Sequence, residues 1–286
     1  MTTVAVIQLA APWRSPDAAR ENSARLLRQA AAAGARLAIL PELCTISYDF
    51  RSRDQVEPAA EPIDGPSVRL WSAIARETGM SVVAGFPERA GDRLYNSAAV
   101  IGPEGVRGVY RKAHLYHFER NVFAAGDSGF LVWDTSVGRI GVLICYDLRF
   151  AEAVRILLLR GAQILCVPTT WTDRSKAEPW DARGWCGANY LAAGVAYANR
   201  MWVACADRAG QDESVRALGG SLLVAPTGYP AAGPAPPASE EVLVAEVDPA
   251  RVDAMRATAE MDLLADRRPE LYGDLTKPVT LTKPAR

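Results

Sequence analysis

Short apolar runs rich in β-branched residues recur along this chain, each closed off by Gly, Pro or a polar residue, with helix-forming stretches between them. The runs are Val4–Leu9, Leu37–Leu40, Ser81–Gly85, Ser97–Ile101, Ile140–Cys145, Ile164–Val167, Trp202–Ala206, Ser221–Val224 and Val242–Val247. They are too short for helices and read as buried strands. A helix is predicted from the cap Ser15-Pro16-Asp17 to Gly34. Others are predicted from Ser67 to Thr78 before Gly79, from Phe150 to Gly161, and from Asp181 to Asn199, the last rich in Ala and Gly. Alternation of the two kinds of segment predicts an α/β chain, a mixed sheet covered by helices. Pro226–Ser239 is Pro-rich but flanked by strands, so it reads as an exposed loop and not a domain boundary. All 286 residues are therefore expected to form one domain. The segment 261–286 is polar and Leu/Tyr-containing, and is expected as a tail that packs on a partner subunit.

Charge and composition exclude several function classes. There are 32 Lys and Arg against 33 Asp and Glu, a net charge of −1, so no general attraction to nucleic acid or anionic membrane exists. No apolar stretch reaches membrane-spanning length, and the N-terminus lacks a basic leader, which predicts a cytoplasmic chain. The two histidines, His114 and His117, are too few for a three-histidine zinc site. The five cysteines form no C-x-x-C pair and are odd in number, so neither a zinc cluster nor a disulfide framework is expected.

Three strand ends carry polar residues of chemical interest. Leu40-Pro41-Glu42 ends a strand in a carboxylate, and Tyr110-Arg111-Lys112-Ala113-His114 places a lysine and a histidine after another. In Leu143-Ile144-Cys145-Tyr146-Asp147 a thiol stands at a strand-to-helix turn. A thiol there can be exposed, a helix N-terminus favours its thiolate, and backbone N–H groups can bind an oxyanion. A carboxylate can take the thiol proton and an ammonium can offset charge on a tetrahedral intermediate. Taken singly, each residue has a plainer reading: Cys145 as buried packing, Glu42 as an ion-pair partner, Lys112 as a surface charge.

The segments LAILPELCTISYDF, YRKAHLYHFERNVFAAGD and GRIGVLICYDLRFAEAVRILLLRGAQILCVPTTW, in that order, closely resemble the nitrilase superfamily of carbon–nitrogen hydrolases. The resemblance runs over residues 4–272. It implies a four-layer α-β-β-α sandwich with two mixed sheets face to face, no metal or organic cofactor, and a homodimer or larger assembly joined by helices beside the site. It implies Glu42 as general base, Lys112 as stabiliser of the tetrahedral oxyanion and Cys145 as nucleophile. The Tyr146 backbone N–H would share the oxyanion, and Glu119 would be a second glutamate placing lysine or substrate. The Cys145-Tyr146-Asp147 sequence resembles the amidase and carbamoylase branches more than true nitrilases, which usually carry Cys-Trp-Glu. Tyr48, Tyr116, His117, Thr170 and Trp171 adjoin these motifs and are expected to line the substrate pocket, and Arg174 is expected to receive a substrate carboxylate. The expected function is a thiol amidohydrolase acting on a small amide or N-carbamoyl compound. The alternatives are a nitrile hydrolase or an N-acyltransferase using the same residues, or a binding protein on this fold.

Overall fold

Ser15 accepts the Ala18 N–H and Pro16 opens the first turn, so α1 (Pro16–Ala32) starts where the sequence places it. The computed structural model describes residues 1–10, 15–173, 178–212 and 214–278. Five strands form the body of one sheet: β1 (Thr2–Ala10), β2 (Leu37–Ile39), β3 (Ser81–Ala90), β4 (Arg93–Gly102) and β5 (Gly105–Arg111). β1, β2 and β3 run parallel, and β3, β4 and β5 form an antiparallel meander. Strand Glu241–Val247 pairs antiparallel with β1, and Arg208–Ala209 extends it in parallel. The second sheet holds β6 (Val132–Thr135), β7 (Gly138–Val142), β8 (Ile164–Pro168) and the strands Trp202–Ala206, Leu222–Val224 and Pro230–Ala232.

The period-2 alternation of a strand sends neighbouring side chains to opposite faces, and two buried clusters divide accordingly. Val4, Val6, Leu37, Ile39 and Val100 of the first sheet pack with Ile140, Val142, Ile164 and Val203 of the second. Ala5, Ile7, Ala38 and Val82 turn the other way, onto Leu26, Leu27 and Ala30 of α1 and Trp71 and Ile74 of α3 (Pro66–Thr78). A single turn, α2 (Arg53–Val56), precedes α3. The outer face of the second sheet is covered by α4 (Ala151–Leu159) and α5 (Gly187–Asn199). The layers are therefore helix, sheet, sheet, helix, and α6 (Ala250–Arg256) follows the last strand.

Several boundaries differ from the sequence reading. The helix expected from Asp181 begins only at Gly187, because the Asp181 carboxylate accepts the Arg183 and Trp185 N–H groups and turns the chain. The strand expected over Ile140–Cys145 stops at Val142, and Cys145–Arg149 forms a 3-10 turn before α4. Pro226–Ser239 is not all loop, since Pro230–Ala232 pairs with Leu222–Val224. The extra hairpin-like strands expected within 202–247 include Gln211–Asp212 paired with Val215–Ala217, whereas β6 and Thr172–Asp173, which joins that hairpin, are too short to leave a periodic signal. No helix among the described residues is long and apolar enough to cross a membrane. The described part of the tail, 261–278, forms short turns that expose Leu271 and Leu275.

Candidate active site

Glu42 follows β2, Lys112 follows β5 and Cys145 follows β7; Glu42, Lys112 and Glu119 form one buried cluster, and Cys145 lies within reach of the charges of Glu42 and Lys112. Lys112 Nζ donates to Glu42 Oε1 at 2.6 Å and to Glu119 Oε1 at 2.8 Å. Asn96 on β4 donates to Glu42 Oε1 at 2.7 Å and approaches Glu119 Oε1 at 3.4 Å. The Tyr48 hydroxyl donates to Glu119 Oε1 at 2.5 Å, and the Tyr116 N–H to Glu119 Oε2 at 2.8 Å. Glu42 Oε2 is buried and accepts no hydrogen bond from the described residues. Glu42, Glu119 and Lys112 are almost wholly shielded from solvent, whereas Cys145 is partly exposed.

The backbone that carries Glu42 is held from three sides, by Arg208, Thr170 and Gly85. The Arg208 guanidinium, itself buried, donates to the carbonyls of Glu42, Leu43 and Ile46. The Thr170 hydroxyl also donates to the Glu42 carbonyl, at 3.3 Å. Leu43 has φ +44°, and Gly85 on β3 lies against this loop. A Cβ at Gly85 would stand 2.4 Å from the Pro41 carbonyl oxygen and 2.6 Å from Glu42 Cα, so only glycine lets the strand pass. Cys145 has φ +47°, a left-handed conformation rare outside glycine that costs energy and lifts a side chain out of the regular path. Its Sγ lies 3.7 Å from the Thr170 carbonyl oxygen.

Electrostatics fix the resting protonation. Burial alone lowers the Lys112 pKa, but the Glu119 and Glu42 carboxylates overcome it and hold the ammonium well above its ordinary value. Burial raises the Glu119 carboxyl, with Lys112 opposing. Burial and the Glu42 carboxylate push the Cys145 thiol well up, and Lys112 offsets only part of this. The balance of these influences favours the neutral thiol. The segment that follows the thiol is a short 3-10 turn rather than the start of a regular helix, and desolvation and the neighbouring carboxylate act against the thiolate there.

The remaining expected residues fall in different places. Tyr116, His117 and Tyr146 form an aromatic group beside the thiol, with ring centroids 5.3 Å apart for Tyr116–Tyr146 and 6.1 Å for Tyr116–His117. The Tyr146 N–H lies in the first turn of the 3-10 segment, where backbone donors lack an acceptor one turn back. Thr170 and Trp171 follow β8, and the Trp171 N–H is taken by Asp207 at 2.9 Å. Tyr48 is buried, with its hydroxyl on Glu119 Oε1. Arg174 lies outside the described residues. Cys44, Cys166, Cys186 and Cys205 are all buried. Among the described residues no group of three His, Cys, Asp or Glu side chains is disposed to hold a metal ion.

Sequence reasoning passed over Asn96 and Arg208. A signal existed for each: Asn96-Ser97 is a polar pair inside an otherwise apolar strand, and Asp207-Arg208 are charges directly after the apolar run Trp202–Ala206.

Comparison with known proteins gives concordant findings. The carbon-nitrogen hydrolase family model matches residues 3–257. A protein named nitrilase from Pyrococcus abyssi is 35% identical over 273 residues, covering 95% of this chain and 99% of its own. The N-carbamoylputrescine amidase of Arabidopsis thaliana is 32% identical over 263 residues, 87% of this chain and 86% of its own. The crystal structure of a carbon-nitrogen hydrolase from Helicobacter pylori G27 superposes with a TM-score of 0.85 at 30% identity, covering 96% of this chain and 98% of that one.

Proposed function

The chain belongs to the carbon-nitrogen hydrolase family, enzymes acting on amides, and from that membership we propose that it cleaves a small amide or N-carbamoyl compound through a thioester on Cys145. The observation that carries this reading is the divided Glu42 carboxylate. Oε1 is held by Lys112 and Asn96, Oε2 is buried with no partner among the described residues, and the carboxylate's charge reaches the Cys145 thiol. A carboxylate oxygen so placed is a proton acceptor in want of a donor.

In the proposed reaction Glu42 takes the Cys145 proton as sulfur attacks the amide carbon. The carbonyl oxygen becomes an oxyanion, stabilised by the Lys112 ammonium and the Tyr146 N–H. The C–N bond then breaks, and Glu42 returns the proton to the departing ammonia or amine. Water next gives a proton to Glu42 and attacks the thioester carbon. The C–S bond breaks, the acid leaves, and the proton returns to sulfur. The upward push on the thiol from burial and Glu42 supports proton transfer that accompanies attack on bound substrate. Tyr116, His117, Tyr146, Thr170 and Trp171 are the residues we assign to the substrate wall.

The test is ammonia release across N-carbamoyl compounds, ω-amides, aliphatic amides and nitriles, with intact-mass detection of an acyl group on Cys145. Turnover of amides or carbamoyl compounds that disappears in Cys145→Ala supports the reading. Turnover of nitriles alone, or unchanged turnover in Cys145→Ala, overturns it. Acyl transfer to added hydroxylamine in place of acid release would favour the transferase alternative.

We also assign a homodimer. A groove of about 1270 Å³ opens between α4, α5 and the tail, and Leu159, Tyr190, Tyr272 and Leu275 are exposed along it. α5 has no charged residue in GANYLAAGVAYAN, which supports burial against a second copy. Sedimentation at micromolar concentration should give a dimer, and Tyr190→Asp a monomer.

A further inference from the structure

The lysine segment and the nucleophile segment meet at Asp147, a wholly buried carboxylate that the proposed reaction does not use. Its Oδ2 accepts the Tyr110 hydroxyl at 2.8 Å and the Ile144 N–H at 3.1 Å. Its Oδ1 accepts the His114 N–H at 2.9 Å and lies 2.7 Å from His114 Nδ1. These partners come from both segments: Tyr110 and His114 stand two residues before and two after Lys112, and Ile144 directly precedes Cys145.

We propose that Asp147 is a positioning residue, tying the segment that carries Lys112 to the turn that carries Cys145 and so fixing Nζ against Sγ. The inference rests on the Glu42–Lys112–Cys145 reading above. The turn supports it further. Asp147 N–H returns to the Ile144 carbonyl at 3.0 Å while Asp147 Oδ2 takes the Ile144 N–H, closing a ring of two hydrogen bonds around Cys145. Cys145 sits in the left-handed region at φ +47°, a conformation that lasts only where its surroundings over-determine it. The His114 ring lies flat on Phe150, centroids 3.6 Å apart and planes within 8°, and Phe150 leads into α4. The clamp is thereby anchored in a helix as well as in a strand. Burial and Asp147 push the Tyr110 phenol well above its ordinary value, so it stays a donor throughout the working pH range. None of these side chains need touch substrate. Their effect passes through the distance between the two reacting groups, where a displacement of about 1 Å costs about 100-fold in rate.

The experiment compares Asp147→Asn, Tyr110→Phe and Cys145→Ala in the full chain, using an amide found active in the panel. Expected are a fall in kcat of about 100-fold for Asp147→Asn and about 10-fold for Tyr110→Phe, with KM within about twofold of the wild type. Because both changes break one clamp, the double variant should be no slower than Asp147→Asn alone. Tyr110→Phe is near-isosteric and decides the matter if Asp147→Asn does not fold. A folded Asp147→Asn or Tyr110→Phe with wild-type kcat, a loss confined to KM, or additive losses in the double variant would each overturn the proposal. Full activity in Cys145→Ala would instead sink the underlying chemistry, so the two failures are distinct.

Discussion

Replacing Lys112 with Met would separate what the lysine does for stability from what it does for turnover. The substitution keeps the length of the side chain and removes its charge. It leaves Glu42 and Glu119, both fully buried, with Asn96 as the shared donor between them. At the observed 2.6 and 2.8 Å, each ion pair is at contact distance. Removing one member of such a buried pair costs about 3–5 kcal/mol, because a charge is stranded. At about 2–4 °C per kcal/mol for chains of roughly this size, the melting temperature should fall by about 6–20 °C. The loss should depend on pH. Without Lys112, which holds the Glu119 carboxyl down, burial raises that carboxyl further. A carboxyl whose folded value exceeds its unfolded value stabilises the fold below the unfolded value. That advantage is lost as pH rises through the folded value. The deficit of Lys112→Met should therefore be small near pH 4 and grow toward pH 8. Adding Glu119→Gln removes one stranded charge and should recover about half of the loss, while turnover stays at least about 100-fold below wild type. Differential scanning calorimetry at several pH values, with ammonia release alongside, measures both. A single variant as stable as wild type at pH 8, or a double variant no more stable than the single, would refute the reasoning.

Other outcomes follow from the same geometry. Iodoacetamide labelling of Cys145 without substrate should accelerate about tenfold per pH unit from 7 to 9, since the thiol is pushed up; a plateau below pH 8 in a labelling titration would contradict this. Gly85→Ala drives a Cβ into the Pro41 and Glu42 backbone and should lower kcat by about 100-fold, at a stability cost of about 1–3 kcal/mol; steady-state kinetics and urea unfolding check it. Arg208→Lys loses the fork that binds three carbonyls and should lower kcat about tenfold, with a stability loss of about 2 kcal/mol in the same assays.

The strands that bear the reacting groups could be read from the chain because β-branched runs ending in Pro-Glu, Arg-Lys or Cys-Tyr are local features. The helix starting at Ser15 was readable for the same reason, its cap and Pro lying side by side. Tertiary partners left weaker traces. Arg208 lies 166 residues from the Glu42 carbonyl it holds, and Asp147 lies 37 residues from the Tyr110 hydroxyl it accepts. Tyr48 could be placed near the site by its motif, but not with its hydroxyl on Glu119, since which way a ring turns is decided by packing against Phe50 and Phe118. The resting charge of Cys145 was likewise a matter of burial, which no local pattern encodes.

One oxygen of the Glu42 carboxylate is already engaged. Lys112 and Asn96 hold Oε1, so in the reading proposed above the oxygen left to exchange protons is the one in the Oε2 position. In the proposed chemistry that oxygen must serve sulfur, the departing amine and the incoming water in turn. Amine and water then compete for a single berth. The first product must vacate it before the second reactant can dock, which imposes a double-displacement order. An amine slow to leave would run the first half-reaction backwards and act as a product inhibitor competing with water. Whether such a protein hydrolyses or transfers acyl groups is then decided by how long each visitor stays at one oxygen atom.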